Sequence, residues 1–490
     1  MSKKIENVAV LGSGVMGSQI AAHLTNARYQ VYLFDMNQDL CTKGIEFCEK
    51  LKPAPFYSPK NSKNIIPQNY DDHLDSLKKC DWIIEVIAEK LEWKQDLYKK
   101  ISPFLKDDAI VTSNTSGLLV RELTDGMPES FKERFFVTHF FNPPRYMKLV
   151  EIVSGSKTKK EYISLIANFL TEVLGKGAVF AKDTPNFIAN RIGVFGMMVT
   201  LKETASKKLS VEDVDGLTGT LIGRPKSATY RTADIVGLDT FTYVAKTAYD
   251  KGENDIYRDM FELPDYIQTM VDNGWLGQKS KQGFYKKIDK GVIHSLDFES
   301  MEYSPQNKKR YSGVGLAREN TNLSSKLKAL VNAQDVAGEF TWEVFSQTLL
   351  YAAYLAGDIS DDIVSIDNAL KWGFGWEVGP FEVWDILGFE KTINRMKDDR
   401  KNIPDWINKM LESDIKSFYT LKEGRKHFYD FQTSSYKELE IFDNSFTFQS
   451  KKDQGLLISK NWSASIVDLG DGVAGVEFHS VLQSNFNPID

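Results

Sequence analysis

Short, uninterrupted apolar runs alternate with longer amphipathic stretches in the first third of the chain. Runs of this kind are typical of strands that are buried on both faces of a parallel sheet. They predict strands at residues 8–11, 30–34, 81–87, 109–113, 135–140 and 148–153, with one of the intervening helices at about residues 91–104. We therefore expect residues 1–184 to form an α/β domain of the Rossmann type.

From about residue 186 the pattern becomes helical, and one stretch of it occurs twice. Each copy follows an apolar helical stretch and ends in turns rich in Gly and Asp. The equivalent positions are offset by 151 or 152 residues and pair Asp215 with Asp367, Gly223 with Gly375, Asp234 with Asp385, and Gly237 with Gly388. A repeat of one domain explains this pattern more simply than coincidence does.

The repeat predicts two tandem all-α domains and a short tail. We place the first copy at residues 185–290, a solvated linker at 291–323 and the second copy at 324–431. In the second copy we interpret Trp372, Phe374 and Trp376 as core aromatics in preference to a platform for the substrate. The tail, residues 432–490, contains SASIVDLGDGVAGVEFHS, in which apolar residues alternate on both sides of an Asp-Gly turn. That alternation predicts a β-hairpin.

Composition excludes several classes of protein. The chain has 490 residues, of which 42% are hydrophobic and 26% charged, and its net charge is −6. These values are ordinary for a folded protein and provide no positive field that would attract nucleic acid. The three cysteines form no CxxC pair, and no apolar run reaches the roughly 18 residues of a membrane span. We expect a cytoplasmic protein with no disulfide, no metal site and no membrane span.

Three glycines and one acid near the N-terminus predict a dinucleotide site. Gly12, Gly14 and Gly17 follow the first predicted strand, and Asp35 ends the second. The glycines respectively permit a tight turn, a close approach of backbone to a pyrophosphate, and close packing of helix on sheet. Asp35 would accept hydrogen bonds from the ribose hydroxyls and repel a 2′-phosphate. The pattern therefore predicts NAD as the cofactor.

A histidine and a glutamate in successive strands are candidates for proton transfer. His139 lies in an apolar and aromatic strand, and Glu151 follows twelve residues later, in the middle of LVEIV. A lone histidine in a strand is more often a hydrogen-bonded core residue, but a buried Glu is rare without a partner. A hairpin at the intervening Asn-Pro-Pro turn would bring the two strands side by side. The carboxylate would then fix the tautomer of the imidazole and stabilise its protonated form, as a general base requires.

The sequence resembles the L-3-hydroxyacyl-CoA dehydrogenase family over nearly its whole length. The motifs that carry the resemblance occur in the family's order, namely GSGVMG, the acid Asp35, SNTSGL, HFFNPP, MKLVEIV, KDTPNFIANR and LGQKSKQGFYKK. The resemblance is strongest to the long bacterial members, in which an enoyl-CoA hydratase domain follows. The C-terminal hairpin is similar to the first hairpin of that domain. The resemblance thus implies that the body of the hydratase domain, and hydratase activity, are absent from this sequence.

The resemblance implies roles for individual residues. His139 matches the family's catalytic histidine and Glu151 its carboxylate partner, while Ser116 and Asn190 match the pair that hold the substrate's β-oxygen and acyl carbonyl. Besides the glycines, it assigns to NAD the residues Asp35, Glu89, Lys94, Ser116, Asn142 and Lys279. Without it, Glu89 and Lys94 would be interpreted as a solvated pair at a helix start, and Asn142 as a turn former.

The chain departs from the family's pattern at two positions where many members have glycine. These positions hold Asn186, after KDTP, and Lys281, in QKSKQGFY. Neither change removes a catalytic group. The second change leaves the contact of Lys279 with the cofactor open.

The resemblance implies an NAD-dependent oxidoreductase that converts (3S)-3-hydroxyacyl-CoA to 3-oxoacyl-CoA in fatty-acid β-oxidation. Two alternatives stay open: a dehydrogenase of a sugar acid, and an NAD-binding scaffold or subunit without catalysis. The partners that it implies are the acyl-CoA substrate and a thiolase subunit. Short relatives dimerise through the helical domain. The second copy can cover that surface within one chain, so we expect a monomer.

Overall fold

The computed structural model describes residues 4–439 and 447–479. The chain divides into two compact units, residues 1–361 with 365–380, and residues 362–364 with 381–490. The first unit holds the α/β domain, the first helical copy and the beginning of the second copy. The second unit holds the rest of the second copy and the C-terminal strands.

An eight-stranded sheet in the order β3-β2-β1-β4-β5-β6-β7-β8 forms the N-terminal domain. The paired strands are parallel except β6 and β7, which are antiparallel. The strands are β1 Asn7–Leu11, β2 Gln30–Asp35, β3 Ile65–Asn69, β4 Trp82–Glu85, β5 Ile110–Ser113, β6 Phe135–Phe140, β7 Leu149–Ser154 and β8 Gly177–Ala181. The accompanying helices are α1 Val15–Asn26, α2 Gln38–Lys50, α3 Leu91–Ile101, α4 Val120–Leu123, α5 Glu129–Lys132 and α6 Lys160–Asn168.

The six predicted strands are confirmed, and two further strands flank them. The central strands are almost entirely buried, as their continuous apolar runs predict. The edge strand β3 was missed because its sequence, IIPQN, lies in a Pro- and Asn-rich segment that is typical of a loop. Proline is tolerated at such an edge because its missing N–H faces away from the sheet.

The first helical copy is confirmed, and it ends in a small sheet that was not predicted. Its helices are α7 Ala189–Ser206, α8 Val211–Leu217, α9 Tyr230–Val236, α10 Leu238–Lys251 and α11 Asp265–Asp272. Three antiparallel strands follow, β9 Tyr285–Asp289, β10 Val292–Leu296 and β11 Tyr303–Pro305, and then helix α12 Ser312–Arg318. The segment that we predicted to be a solvated linker therefore carries two strands and a helix.

After one additional helix, α13 Leu323–Val331, the second copy shows the same order of elements. Its other helices are α14 Val336–Leu355, α15 Ile363–Gly373, α16 Pro380–Leu387, α17 Phe389–Asp398 and α18 Asp405–Glu412. A three-stranded antiparallel sheet again follows, with β12 Tyr419–Lys422, β13 Arg425–Asp430 and β14 Ser435–Glu438. The prediction of wholly helical domains is thus incomplete in both copies.

Equivalent glycines of the two copies have the same backbone conformation. Gly223 and Gly375 have φ of +69° and +67°, and Gly237 and Gly388 both have φ of +97°. Positive φ values of this kind favour glycine over other residues. The repeat therefore preserves the turns that require glycine.

Equivalent aspartates also make the same hydrogen bonds. Asp234 accepts from the backbone N–H groups of Phe284 and Tyr285 at 2.8 and 2.9 Å, where the first small sheet begins. Asp385 accepts from the corresponding groups, Phe418 N–H and Tyr419 N–H, at 2.7 and 2.8 Å. Each aspartate thus ties a helix to the small sheet of its own copy, so the repeating unit includes the sheet.

The C-terminal strands form a second three-stranded sheet within the second unit. Helix α19 Phe448–Asp453 precedes β15 Leu457–Lys460, β16 Ala464–Gly470 and β17 Val473–Phe478. Strands β16 and β17 pair antiparallel around Asp471 and Gly472, which confirms the predicted hairpin. The rest of the predicted tail, residues 440–446 and 480–490, lies outside the described residues.

Among the helices of the described segments, none is long and apolar enough to cross a bilayer.

Candidate active site

The glycine-rich turn between β1 and α1 has the geometry of a phosphate cradle. Gly12 has φ of +108°, and a Cβ there would lie 2.7 Å from the carbonyl oxygen of Val86. A Cβ at Gly17 would lie 1.9 Å from the carbonyl oxygen of Gly12. At Gly14, immediately before α1, a Cβ would meet nothing within 4 Å. Two of the glycines are therefore required by packing within the protein, and the third faces open space beside a helix N-terminus, where a pyrophosphate fits.

Asp35 is held at the carboxyl end of β2. Its Oδ2 accepts hydrogen bonds from the backbone N–H and the hydroxyl of Ser13, at 2.7 and 2.6 Å, and its Oδ1 accepts from Met36 N–H at 2.8 Å. These bonds fix the carboxylate next to the glycine-rich turn. That position is the one expected for a carboxylate that binds the ribose of NAD.

His139 and Glu151 are direct neighbours in the antiparallel pair of β6 and β7. The Nδ1 atom of His139 lies 2.7 Å from Oε2 of Glu151, and both side chains are buried. Because Nδ1 faces the carboxylate, Nε2 is the ring nitrogen that remains for a substrate. The hairpin that we predicted from the Asn-Pro-Pro turn is confirmed.

The second carboxylate oxygen of Glu151 holds the beginning of α7. Its Oε1 accepts hydrogen bonds from the N–H groups of Ile188 and Ala189, at 3.1 and 2.8 Å. Asn190 is the next residue of that helix. One carboxylate therefore sets the position of two of the predicted substrate-binding groups, the imidazole and the Asn190 side chain.

Ser116 lies in the loop after β5 and contacts Glu89. The Oε1 atom of Glu89 accepts from the backbone N–H of Ser116 at 2.9 Å and from its hydroxyl at 3.3 Å. Both residues line the same cavity as His139. Glu89 thus positions the loop that presents the Ser116 hydroxyl.

A cavity of about 840 Å³ is lined by six of the twelve predicted site residues. Its polar lining includes Gly14, Glu89, Ser116, His139, Asn142 and Asn190. Much of the remaining lining is apolar and comes from α7, α9, α10 and the turn after α15. The cavity thus joins the glycine-rich turn to the histidine, as a site for hydride transfer requires.

Five predicted cofactor residues do not line this cavity, namely Gly12, Gly17 and Asp35, which lie in or beside the glycine-rich turn, and the lysines Lys94 and Lys279. Lys94 is buried, and its ammonium donates to Glu85 Oε1 at 2.6 Å and to the carbonyl oxygen of Ile87 at 3.3 Å, while Glu89 Oε2 lies 3.4 Å away. Lys279 is half exposed and forms an ion pair with Asp239. Lys94 therefore forms a buried ion pair that helps to hold the Glu89 carboxylate in position. Direct contact of either lysine with NAD stays a prediction.

The sequence analysis missed Glu85, which anchors the loops around the site. Its carboxylate accepts hydrogen bonds from Lys94, from the Tyr98 hydroxyl at 2.7 Å and from the Ser113 hydroxyl at 2.6 Å. Burial and the adjacent Glu85 carboxylate raise the pKa of the Tyr98 phenol well above its ordinary value. The available signal was a glutamate inside the apolar run DWIIEVI, because a fully buried carboxylate needs partners.

The two departures from the family's pattern occupy left-handed backbone positions. Asn186 and Lys281 both have φ of +62°, which explains why glycine suits these positions. The Asn186 amide donates to the carbonyl oxygen of Val244 at 2.9 Å and packs against Gly117. Asparagine is one of the side chains that adopt this conformation most readily.

A buried network ties α7 to the second copy. Arg191 Nη2 lies 2.6 Å from Asp255 Oδ2, and Arg191 Nε donates to the Tyr351 hydroxyl at 2.6 Å. The Tyr351 hydroxyl in turn donates to Asp255 at 2.6 Å. Tyr351 belongs to α14, which packs against α7. The helix that carries Asn190 is therefore fixed by Glu151 at its start and by this network beside it.

Comparison with known proteins agrees with this geometry. Residues 7–184 match the family profile described as 3-hydroxyacyl-CoA dehydrogenase, NAD binding domain, and residues 187–287 match that of the C-terminal domain. A Bacillus subtilis protein named as a 3-hydroxyacyl-CoA dehydrogenase is 43% identical over 98% of this chain and 63% of its own length. A Rickettsia felis protein named as a fatty acid oxidation complex trifunctional enzyme is 35% identical over 82% of this chain and 56% of its own length.

Solved structures show the same fold. The crystal structure of 3-hydroxybutyryl-CoA dehydrogenase from Escherichia coli K12 aligns with 84% of this chain over 99% of its own chain. The TM-score is 0.60 and the sequence identity is 21%. The present chain spans 63% and 56% of the length of the B. subtilis and R. felis relatives. The two matched domains and the B. subtilis relative establish that this chain belongs to the 3-hydroxyacyl-CoA dehydrogenase family.

Proposed function

We propose that this chain oxidises (3S)-3-hydroxyacyl-CoA to 3-oxoacyl-CoA with NAD, as a step of fatty-acid β-oxidation. The observation that carries the proposal is the hydrogen bond of 2.7 Å between His139 and Glu151, in a cavity that also contains Ser116 and Asn190. The family's NAD-binding domain and the name of the R. felis relative support the cofactor and the pathway.

The residues around the glycine-rich turn fit NAD. Gly14 leaves space for the pyrophosphate at the N-terminus of α1, and Asp35 offers a carboxylate to the ribose. Asn142 and Glu89 line the cavity between this turn and His139. Bound NAD would supply the hydride acceptor for the reaction.

His139 takes the proton that the alcohol must lose. As the substrate's β-carbon gives up a hydride, its hydroxyl gives up a proton to Nε2 of His139, so the hydroxyl becomes a carbonyl group. Glu151 offsets the positive charge that develops on the imidazole, and its hydrogen bond to Nδ1 fixes the tautomer. In the reverse direction the same nitrogen returns the proton.

Ser116 and Asn190 position the substrate. Their side chains line the cavity together with His139, and they would hydrogen-bond the β-oxygen and the acyl carbonyl. Such groups orient the hydroxyl toward the base and the β-carbon toward the cofactor, which lowers the entropic part of the barrier. Glu89 holds the backbone of Ser116, and Glu151 holds that of Ala189, the residue before Asn190.

The proposal is tested by the oxidation of NADH, followed by its absorbance, with acetoacetyl-CoA or free acetoacetate as the second substrate. Rapid oxidation with the CoA ester and little with the free acid would support it. A preference for free hydroxy or keto acids would favour a sugar-acid or related dehydrogenase. Absence of turnover with every substrate, in a protein that still binds NADH, would support a non-catalytic subunit and contradict the proposal.

A further inference from the structure

An apolar channel leads away from the predicted substrate-binding residues along one face of α7. Asn190 stands at the start of this helix, and Val194 and Met197 follow four and seven residues later, on the same face. All three line the cavity that contains His139. At 1.5 Å per residue, Met197 lies about 10 Å along the helix from Asn190.

The second helical copy supplies one wall of this channel. Gly373, the last residue of α15, and Phe374 and Gly375, in the turn that follows, line the cavity together with Pro225 of the first copy. Phe374 is half buried. The prediction that it is a core aromatic is therefore wrong, and its ring forms part of a binding surface.

The ring of Phe374 rests directly on the backbone of α7. A Cβ at Gly193 would lie 2.2 Å from Cζ of Phe374, so only glycine at position 193 of α7 leaves room for the ring. Gly193 lies between Asn190 and Val194, one turn from the substrate-binding end of the helix. The ring thus occupies the channel wall just beyond the predicted acyl carbonyl site.

Neighbouring contacts hold the turn in place. A Cβ at Gly177 would lie 2.2 Å from Cε3 of Trp372, and Lys148 stacks on that indole with its Nζ 4.4 Å from the ring centroid. A Cβ at Gly373 would lie 2.6 Å from a methyl group of Leu149. The end of α15 is therefore packed against β7 and β8, and these contacts set the position of Phe374, the next residue.

We propose that Phe374 determines acyl-chain length by limiting the depth of the channel along Val194 and Met197. This inference rests on the proposed function, because it assigns the apolar channel to the acyl chain of the substrate. Each methylene that enters an apolar channel contributes about a fourfold gain in affinity, and each that meets a wall loses that gain. The second copy thus shapes the substrate site of the first copy without contributing a catalytic group.

The test is a series of 3-oxoacyl-CoA substrates with chains of increasing length, measured as kcat/KM with NADH. In the unmodified protein, kcat/KM should fall once the acyl chain is long enough to reach Phe374. In Phe374→Ala this fall should begin at longer chains, so that the ratio of kcat/KM for a long substrate to kcat/KM for a short one rises tenfold or more. Gly193→Ala, which displaces the ring into the channel, should lower this ratio. The double variant Gly193→Ala with Phe374→Ala should recover it, because the added methyl group then has room.

Three outcomes separate the possible failures. An equal change at every chain length in Phe374→Ala would show that the ring contacts the part of the substrate common to all members, and would overturn the inference. Equal kcat/KM values for the unmodified protein and a folded Phe374→Ala protein at every chain length would also overturn the inference. If the unmodified protein turned over none of the series, the proposed function itself would fail.

Discussion

Glu151 contacts the catalytic candidate His139 through one carboxylate oxygen and the first turn of the helix that carries Asn190 through the other. The proton acceptor and a substrate-positioning residue are thus oriented by a single side chain, although they belong to different domains. A change at Glu151 should therefore affect both chemistry and structure, and different substitutions should separate the two effects.

Glu151→Gln should lower kcat strongly and the free energy of unfolding only slightly. The amide retains the shape of the side chain but loses the negative charge that stabilises protonated His139, and general acid–base catalysis contributes about 10²–10⁴-fold. We expect kcat to fall at least about 100-fold, with the Kd of NADH within threefold. Steady-state kinetics and fluorescence titration with NADH measure these quantities.

Glu151→Ala should also destabilise the protein. It leaves the N–H groups of Ile188 and Ala189 without an acceptor, and each unsatisfied buried donor costs about 1–3 kcal/mol. Urea denaturation should show a larger loss of unfolding free energy for alanine than for glutamine. Equal stability of the two variants would show that the bonds to α7 are unimportant.

Asp35→Asn should weaken the preference for NADH over NADPH. The neutral amide can still hydrogen-bond a ribose hydroxyl, but it no longer repels a 2′-phosphate, so we expect the ratio of kcat/KM for the two cofactors to fall at least tenfold. The matched control is Asp39→Asn, an exposed acid in the first turn of α2. An equal ratio for the two variants would contradict the role of Asp35.

Asp255→Asn should strongly destabilise the helical region. The substitution leaves the buried Arg191 guanidinium without its carboxylate, and breaking a buried ion pair in this way costs about 3–5 kcal/mol. The surface pair of Lys157 and Glu129 provides the control, because Glu129→Gln breaks an exposed ion pair and should leave the unfolding free energy nearly unchanged. Thermal unfolding distinguishes the two variants, and similar Tm values would contradict the account of α7.

Lys281→Gly should stabilise the protein. Glycine at this left-handed backbone position removes a steric cost of about 1–2 kcal/mol that a residue with a Cβ incurs. The extra entropy of glycine in the unfolded chain costs about 0.5–1 kcal/mol. The control is Lys287→Gly, at an exposed position in β9 that does not have a positive φ, which should be destabilising. A lower Tm for both variants would show that the Lys281 side chain makes a stabilising contribution of its own.

Local patterns predicted the parts of the site that lie close together in sequence. The glycines, Asp35 and the His139–Glu151 hairpin each depend on a turn and its two flanking elements, so spacing and residue type were sufficient. Glu85 was missed because its partners come from two other segments of the chain, α3 and β5. The small sheets were missed because strands such as β9 and β12 are largely polar and partly exposed, so they lack a buried face that alternation could reveal.

Phe374 shows a different limit of sequence reasoning. An aromatic residue after an apolar helix is interpreted as core, and nothing near it in sequence indicates a cavity. Its role depends on Gly193, in the other copy of the repeat, whose missing side chain makes room for the ring. Such complementarity between distant residues becomes visible only when the two copies are placed together.

The most direct test of the central claim compares the unmodified protein with His139→Ala in NADH oxidation by acetoacetyl-CoA. His427→Ala, which removes a partly exposed histidine from β13, is the control. The account predicts rapid oxidation by the unmodified protein and the control. It predicts a loss of at least about 1,000-fold in His139→Ala, with NADH affinity retained. Activity within tenfold of the unmodified protein in His139→Ala would contradict the assignment of His139 as the proton acceptor.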